Sequence, residues 1–265
     1  MIARFDHAII AVRDLPRAVE RWRGAGFEVR QGGRHEGRGT ANAIVRFGLD
    51  YLELITVEHR PLALAGGGNS AALVRYLDAH EAGLIGYALA TDTIEQAPAR
   101  FAEQGILVPP LIPRDRLLPG GDRLRWRLAI PGGQSWLTPW PMLIQWDTTD
   151  AERLRWEAPG HHRNGVSGVG GIQLRAADPD LVERVFVGAL GLPARRTPGR
   201  TTFPVGACLL EVAPAADGDG GPTTLVLSSA DLDRTAAQTG GVREDVAVRL
   251  PAASLDGVSV LVRGV

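Results

Sequence analysis

The sequence predicts an α+β fold of tandem βαβββ modules with curved mixed sheets. Three observations predict it. A short apolar, β-branched run, Phe5 to Val12, leads through Asp14 and Pro16 into an amphipathic helix, and three more strand-like runs follow. The same order of strand, helix and glycine stop returns from Gly83, with Trp22 and Phe101 in matching places 79 residues apart. The 33 glycines and 18 prolines take about 19% of the chain, against a usual share of roughly 12%, which divides it into many short elements.

In the first module Asp14 is a good N-cap and Pro16 suits a first helical turn. Leu15, Ala18, Val19 and Trp22 fall on one face of that helix, and Gly24 and Gly26 stop it. Strands are expected at Phe27–Gln31, Ala41–Phe47 and Tyr51–Val57. The second module runs from "GLIGYALATDTIEQAPARFAEQGI" to "LRWRLAI" and "WPMLIQW". The polar stretch Thr148 to Gly171 reads as a linker with part of a helix before it. "GIQLRAADPDLVERVFVGALGLP" opens a third module, which "TTFPVGACLLEVAP" completes. A worn fourth runs from "TTLVLSS" through "ADLDRTAAQ" to "VSVLVRG". The expected organisation is 1–150 as a pair of modules, 151–170 as a linker, and 171–265 as a degenerate third module with a possible fourth. One curled sheet needs a partner to bury its face, so the repetition matters more than any single element.

Composition excludes several classes of function. The net charge of −1 gives no bulk electrostatic case for nucleic acid or membrane partners. All 29 basic residues are arginine, so Schiff-base and P-loop lysine chemistry are absent from the chain. Cys208 is the only cysteine, which rules out an intrachain disulfide and a cysteine-rich zinc site. The N-terminus does not read as a signal peptide, and no apolar run approaches the roughly 20 residues of a membrane span, so the cytoplasm is the expected location.

Local chemistry concentrates in "GGRHEGRGTANAIVRFGLDYLELITV", Gly32 to Val57. Glu53 stands alone on an apolar strand, and an isolated carboxylate there faces water, finds a partner such as Arg46, or binds something. His35, Thr40 and Asn42 lie among glycines, as a turn or as ligand contacts beside a cleft. Trp136, Trp140 and Trp146 are divided between core and an aromatic wall. His161, His162 and Asn164 read as linker, with His162 or Asn164 tied to a cleft rim. "AGGGNSAALVRYL" is explained by Ser70 as a helix N-cap. "ADGDGG" around Asp219 is a turn, with too few carboxylates for a calcium loop.

"DHAIIAVRDLPRAVERW" followed by "GF" resembles the opening of a module of the vicinal oxygen chelate superfamily. That group includes glyoxalase I, extradiol dioxygenases and bleomycin-binding proteins. "HEGRGTAN" and "YLELI", with "PMLIQW" and "HRNGV", resemble its glyoxalase-like subfamily. The resemblance implies two modules closing around a cleft, with metal ligands on the first and fourth strands of each. Those places fall on His7 and Glu53. Strand alternation agrees, since His7, Ile9 and Ala11 share one face and Tyr51, Glu53, Ile55 and Val57 another. Matching Trp22 to Phe101 sets Gly86 opposite His7. Matching "YLEL" to "LIQW" sets Gln145 opposite Glu53. Matching Asp14 to Asp178 sets Gly171 at the histidine place, with Glu211 retained. The full ligand set is therefore not present in any pair of modules, and His35 is the residue best placed to repair it.

The expected site is Glu53 as a catalytic carboxylate, His7 and Glu53 as metal ligands, and His35, Thr40, Asn42, Tyr51, Gln145 and Trp146 as contacts to a small-molecule ligand. Two functions compete. One is a divalent-metal enzyme (Zn, Fe, Mn, Ni or Mg), a lyase, isomerase or dioxygenase acting on an oxygenated small molecule in the N-terminal cleft. The other is a metal-free protein that sequesters a planar compound, as the bleomycin-binding relatives do. The main cavity is expected in the N-terminal pair, and the C-terminal half offers a surface for a homodimer.

Overall fold

The computed structural model describes residues 1–117, 121, 123–216 and 220–265, so Asp219 lies outside the described residues. The first module comprises β1 (Ile2–Val12), α1 (Leu15–Gly24), β2 (Arg30–His35), β3 (Thr40–Arg46) and β4 (Tyr51–Val57). Two helices, α2 (Arg60–Ala65) and α3 (Gly68–Ala79), lead to β5 (Ala82–Thr91), α4 (Ala97–Ala102), β6 (Ile112–Leu117), β7 (Arg123–Ala129) and β8 (Met142–Trp146). After α5 (Asp150–Trp156) the third module comprises β9 (Val166–Ala176), α6 (Pro179–Gly188), β10 (Arg195–Thr197), β11 (Arg200–Val205) and β12 (Cys208–Pro214). The fourth comprises β13 (Gly221–Ser229), α7 (Leu232–Thr239), β14 (Val242–Glu244), β15 (Ala247–Arg249) and β16 (Val260–Gly264).

Each pair of modules makes one curled eight-stranded sheet, in the orders β2-β3-β4-β1-β5-β8-β7-β6 and β10-β11-β12-β9-β13-β16-β15-β14. Within a module the first and fourth strands run parallel, and the two first strands meet antiparallel at the centre. The helix starts follow one chemical rule. Asp14, Asp178 and Asp231 each accept the backbone N–H three residues on, and Thr93 holds the same place in the second module.

One face of each sheet packs with the module helices into a common core. Ile10 and Leu54 of the first sheet, Ile172 and Leu210 of the second, and Trp22, Phe101 and Phe186 of the helices all belong to it. The central strands β5 and β13 meet there, so the two sheets lie back to back. Fully burying a ring such as Trp22 contributes roughly 2–3 kcal/mol.

The concave face of the first sheet carries a second apolar cluster, Ile9, Ala11, Ile55, Ala88, Met142 and Ile144, covered by Leu73 and Leu77 of α3 and by Trp136. The helices between modules one and two therefore fill part of the cleft.

Several boundaries differ from the sequence expectation. The second strand is not Phe27–Gln31 but Arg30–His35, because glycines join the ladder with a register shift between Gln31 and Gly33. The turn shrinks to residues 36–39, and His35 and Thr40 become strand residues beside Asn42, which lies in the strand expected from Ala41. Ser70 is not the N-cap of its helix; Gly67 is, at φ 60 and without a side-chain bond. Strand β9 starts at Val166, so the stretch expected as linker supplies its first residues.

Candidate functional site

A bulge builds the site. Along β1, Phe5 pairs with Leu89 and His7 with Ala88, which leaves Asp6 as an extra residue. Strict alternation would separate Asp6 and His7, but here Asp6 Oδ1 lies 2.8 Å from His7 Nδ1. Asp6 is fully buried and also meets Arg4 at 2.7 Å, the Trp146 indole N–H at 3.0 Å and Arg153 at 3.6 Å. Burial would raise its pKa, but the bond to His7 and the charges of His7, Arg153 and Arg4 outweigh that and hold Asp6 well below the usual carboxylate range. The carboxylate fixes the proton of His7 on Nδ1 and turns Nε2 into the cleft.

Strand alternation supplies the rest. His7 pairs with Tyr51 and Ile9 with Glu53, so the His7 ring stacks on Tyr51 at 4.6 Å. Nε2 of His7 stands 3.8 Å from Glu53 Oε2, and Nε2 of His35 stands 3.8 Å from Glu53 Oε1. Asn42 donates to Glu53 Oε1 at 2.6 Å. It has room because residue 32 is glycine; a Cβ there would come 2.0 Å from the Asn42 amide oxygen. His35 Nδ1 meets the buried Thr40 hydroxyl at 2.8 Å. Burial, with Arg38, Arg116 and Arg114 nearby, lowers the His35 pKa to about 4 despite the opposing charge of Glu53, so its ring is neutral at pH 7.

Behind these groups lies an ionic network. Arg46 pairs with Glu157 at 3.0 Å and stacks over Tyr51 at 4.6 Å. Arg116 and Arg153 also pair with Glu157, and the Arg153 guanidinium lies 3.7 Å over the Trp146 ring. Trp126 stands 5.0 Å from Trp146.

The structure thus brings together His7, His35, Thr40, Asn42, Tyr51, Glu53 and Trp146, and it excludes Gln145. Met142, Ile144 and Trp146 share the cleft face, so Gln145 points the other way and accepts from the Ile94 N–H at 2.9 Å. Register explains the misplacement. Ile9 pairs with Glu53, and Ala88, which lies 79 residues after Ile9, pairs with Met142. The counterpart of Glu53 is therefore Met142. Arg46 is not the partner of Glu53, since Glu157 holds it. Of the tryptophans, Trp136 is buried in the cleft cluster and Trp140 packs against the shared core. Sequence reasoning missed Asp6, Arg153 and Glu157, whose roles depend on the bulge and on how α5 docks.

"HHRNG" is a fastening. His162 Nδ1 accepts from Glu28 N–H at 3.1 Å, and its Nε2 donates to the Arg46 carbonyl at 3.0 Å. Asn164 is fully buried and bonds the Ala25 carbonyl at 2.9 Å and the Val166 N–H at 3.1 Å.

The donors do not fit the metal centre that the resemblance implies. A Cβ at Gly86, the counterpart of His7, would lie 3.0 Å from the Trp136 ring, so a tryptophan fills the place of the second histidine. The other counterpart is the thioether of Met142. His7 and His35 address opposite oxygens of Glu53, and among the described residues no three His, Cys, Asp or Glu side chains are arranged to hold a metal ion. In the C-terminal half Gly171 has φ 147, and a Cβ there would lie 1.9 Å from the Leu209 carbonyl oxygen. Glu211, which pairs with Gln173 as Glu53 pairs with Ile9, is neutralised by Arg200 at 3.0 Å and Arg263 at 2.7 Å.

A groove of about 510 Å³ lies apart from the N-terminal cleft. It runs over α6, lined by Gln104, Glu183, Val187 and Arg196, and is open to solvent. In it Arg196 pairs with Glu183 near the surface, whereas Asp6, His7, Arg46 and Arg153 are buried beside the N-terminal cleft.

Paired βαβββ modules in two curled sheets define the vicinal oxygen chelate superfamily. The chain belongs within it to the family of the glyoxalase-like domain, whose model matches residues 5–190. No curated protein sequence matches the chain. Among solved structures it is similar to a hypothetical protein from Staphylococcus aureus, with TM-score 0.73 and 14% identity over 98% of this chain and 99% of that one. A mutant 4-hydroxymandelate synthase from Streptomyces coelicolor is similar at TM-score 0.63 and 11% identity, over 99% and 92%. A xylose isomerase-like TIM barrel/4-hydroxyphenylpyruvate dioxygenase fusion protein is similar at TM-score 0.59 and 11% identity, over all of this chain and 49% of that one. At such identities the likeness is one of fold.

Proposed function

We propose that the N-terminal cleft binds a small oxygenated molecule and exchanges a proton with it through His7, without a metal ion. The observation that carries this is the array of Asp6, His7 and Glu53. A buried carboxylate orients the imidazole, and Nε2 faces the cleft beside a second carboxylate. A base so held takes a proton from carbon next to a carbonyl, or from a hydroxyl, and returns it. Positioned general bases typically contribute about 10²–10⁴-fold in rate. Glu53, kept in place by Asn42, offers the imidazolium a counter-charge at 3.8 Å. Neutral His35 supplies a polar contact on the far side of Glu53. This favours isomerase or lyase chemistry over the oxygen chemistry of the dioxygenase neighbour.

The second reading is binding without turnover, favoured by the tryptophan pair 5.0 Å apart on the cleft wall. Solvent-deuterium exchange into a panel of α-hydroxy ketones and keto acids separates the two. The wild type should exchange in chelator-treated buffer, and His7→Gln should slow this about a hundredfold or more. Exchange absent from wild type, with binding retained, leaves the sequestering role. Metal analysis of the protein, as purified and after incubation with Fe(II), Zn(II) or Mn(II), should give well under one equivalent. Stoichiometric metal that Glu53→Gln removes would overturn the metal-independent reading.

A further inference from the structure

We propose that the N-terminal cleft recognises its ligand through a carboxylate gripped by Arg38 and Arg114, with the ligand's planar body against Trp126. This rests on the reading of the cleft as the ligand site and names the class of molecule it takes.

The second module faces the first across the cleft. Ile112 packs against the apolar cleft cluster, so by alternation Arg114 and Arg116 share its face of β6. Arg114 pairs in register with Trp126 on β7. Arg38 lies in the turn between β2 and β3, beside His35. Of these three arginines, Arg116 is committed to Glu157. Among the described residues Arg38 and Arg114 have no carboxylate partner. Arg114 Nη1 reaches only the carbonyl of Pro113, at 3.2 Å, and its Nε is buried with no hydrogen-bond partner. Burial and the charge of Arg114 both lower the pKa of Arg38, and only Glu53 opposes them. Among the described residues Glu53 forms no salt bridge with either arginine; its partners are Asn42, His7 and His35.

Two partly desolvated, like-charged groups with idle N–H donors are costly unless an anion joins them. A guanidinium fork matches the two oxygens of a carboxylate, and two forks around one carboxylate satisfy the idle donors and cancel the repulsion. Trp126, the register neighbour of Arg114, then offers an aromatic surface next to the charge. A carboxylate on a flat body fits both features.

Benzoate and benzamide have the same shape and differ in charge, which makes them suitable probes. Binding to the full chain is followed by tryptophan fluorescence and by the ring resonances of His35. Benzoate should bind saturably and shift His35, with benzamide about tenfold weaker or more. Arg38→Gln and Arg114→Gln should each weaken benzoate about fivefold or more and leave benzamide unchanged, while Arg114→Lys, which keeps the charge and loses the fork, should fall between. Arg34→Gln, at an exposed pair with Glu58, should change nothing. Benzamide binding as well as benzoate at His35, or benzoate binding indifferent to both glutamine variants, overturns carboxylate recognition and leaves the cleft a ligand site. If neither probe moves His35, both readings fail.

Discussion

Asp6 and His35 show how single residues set the chemistry. Asp6 is fully buried and balances Arg4 and Arg153 while it orients His7. Asp6→Asn removes the buried charge that balances Arg4 and helps Glu157 balance Arg153, and should cost about 3–5 kcal/mol in denaturant unfolding. His35 works through its neutrality. Its folded pKa of about 4 lies below the unfolded 6.5, so between those values the unfolded chain binds more protons. Its contribution is present above pH 6.5 and is lost as pH falls towards 4. The amount is on the order of 3 kcal/mol. His35→Gln should flatten that part of the stability–pH curve, as urea titrations at pH 4.5 and 7 would reveal. Glu53 was legible as an anomaly because a lone carboxylate in an apolar strand demands a reason. Asp6 was not, because the bulge that turns it towards His7 is a property of the pairing with β5.

At the scale of elements, the helix caps were readable because an aspartate one residue before an apolar-periodic run has a local mechanism. The expected capping by Ser70 failed because three consecutive glycines let the chain enter α3 through positive φ at Gly67. Asn164 ties the segment after α5 to the α1–β2 connection with two buried bonds. Asn164→Ala should therefore cost about 2–4 kcal/mol, more than a solvated cap such as Asp178→Ala at about 1 kcal/mol. Thermal melts of the two variants make the comparison. Gly171→Ala, where both φ and the Leu209 carbonyl forbid a Cβ, should fail to give soluble protein.

Across the whole molecule the two sheets share one core through β5 and β13, and that predicts a single cooperative transition. Residues 1–165 alone would expose Phe5, Leu89 and Tyr87 on their shared face, so this fragment should aggregate or dimerise rather than behave as a folded monomer. Size-exclusion chromatography of the fragment checks it. A well-dispersed monomer would show that the sheets are independent.

The sequence by itself determined the module order and the aspartate-capped helix starts, and its resemblance to vicinal oxygen chelate modules put His7 and Glu53 on the first and fourth strands of one module. Local pattern and strand alternation carry that information. Only the tertiary structure decided the register that replaces Gln145 by Met142, the Trp136 ring that fills the second histidine's place, and the bulge that joins Asp6 to His7. Each depends on contacts between strands far apart in the chain, and a shift of one residue along a strand turns a side chain from one face to the other.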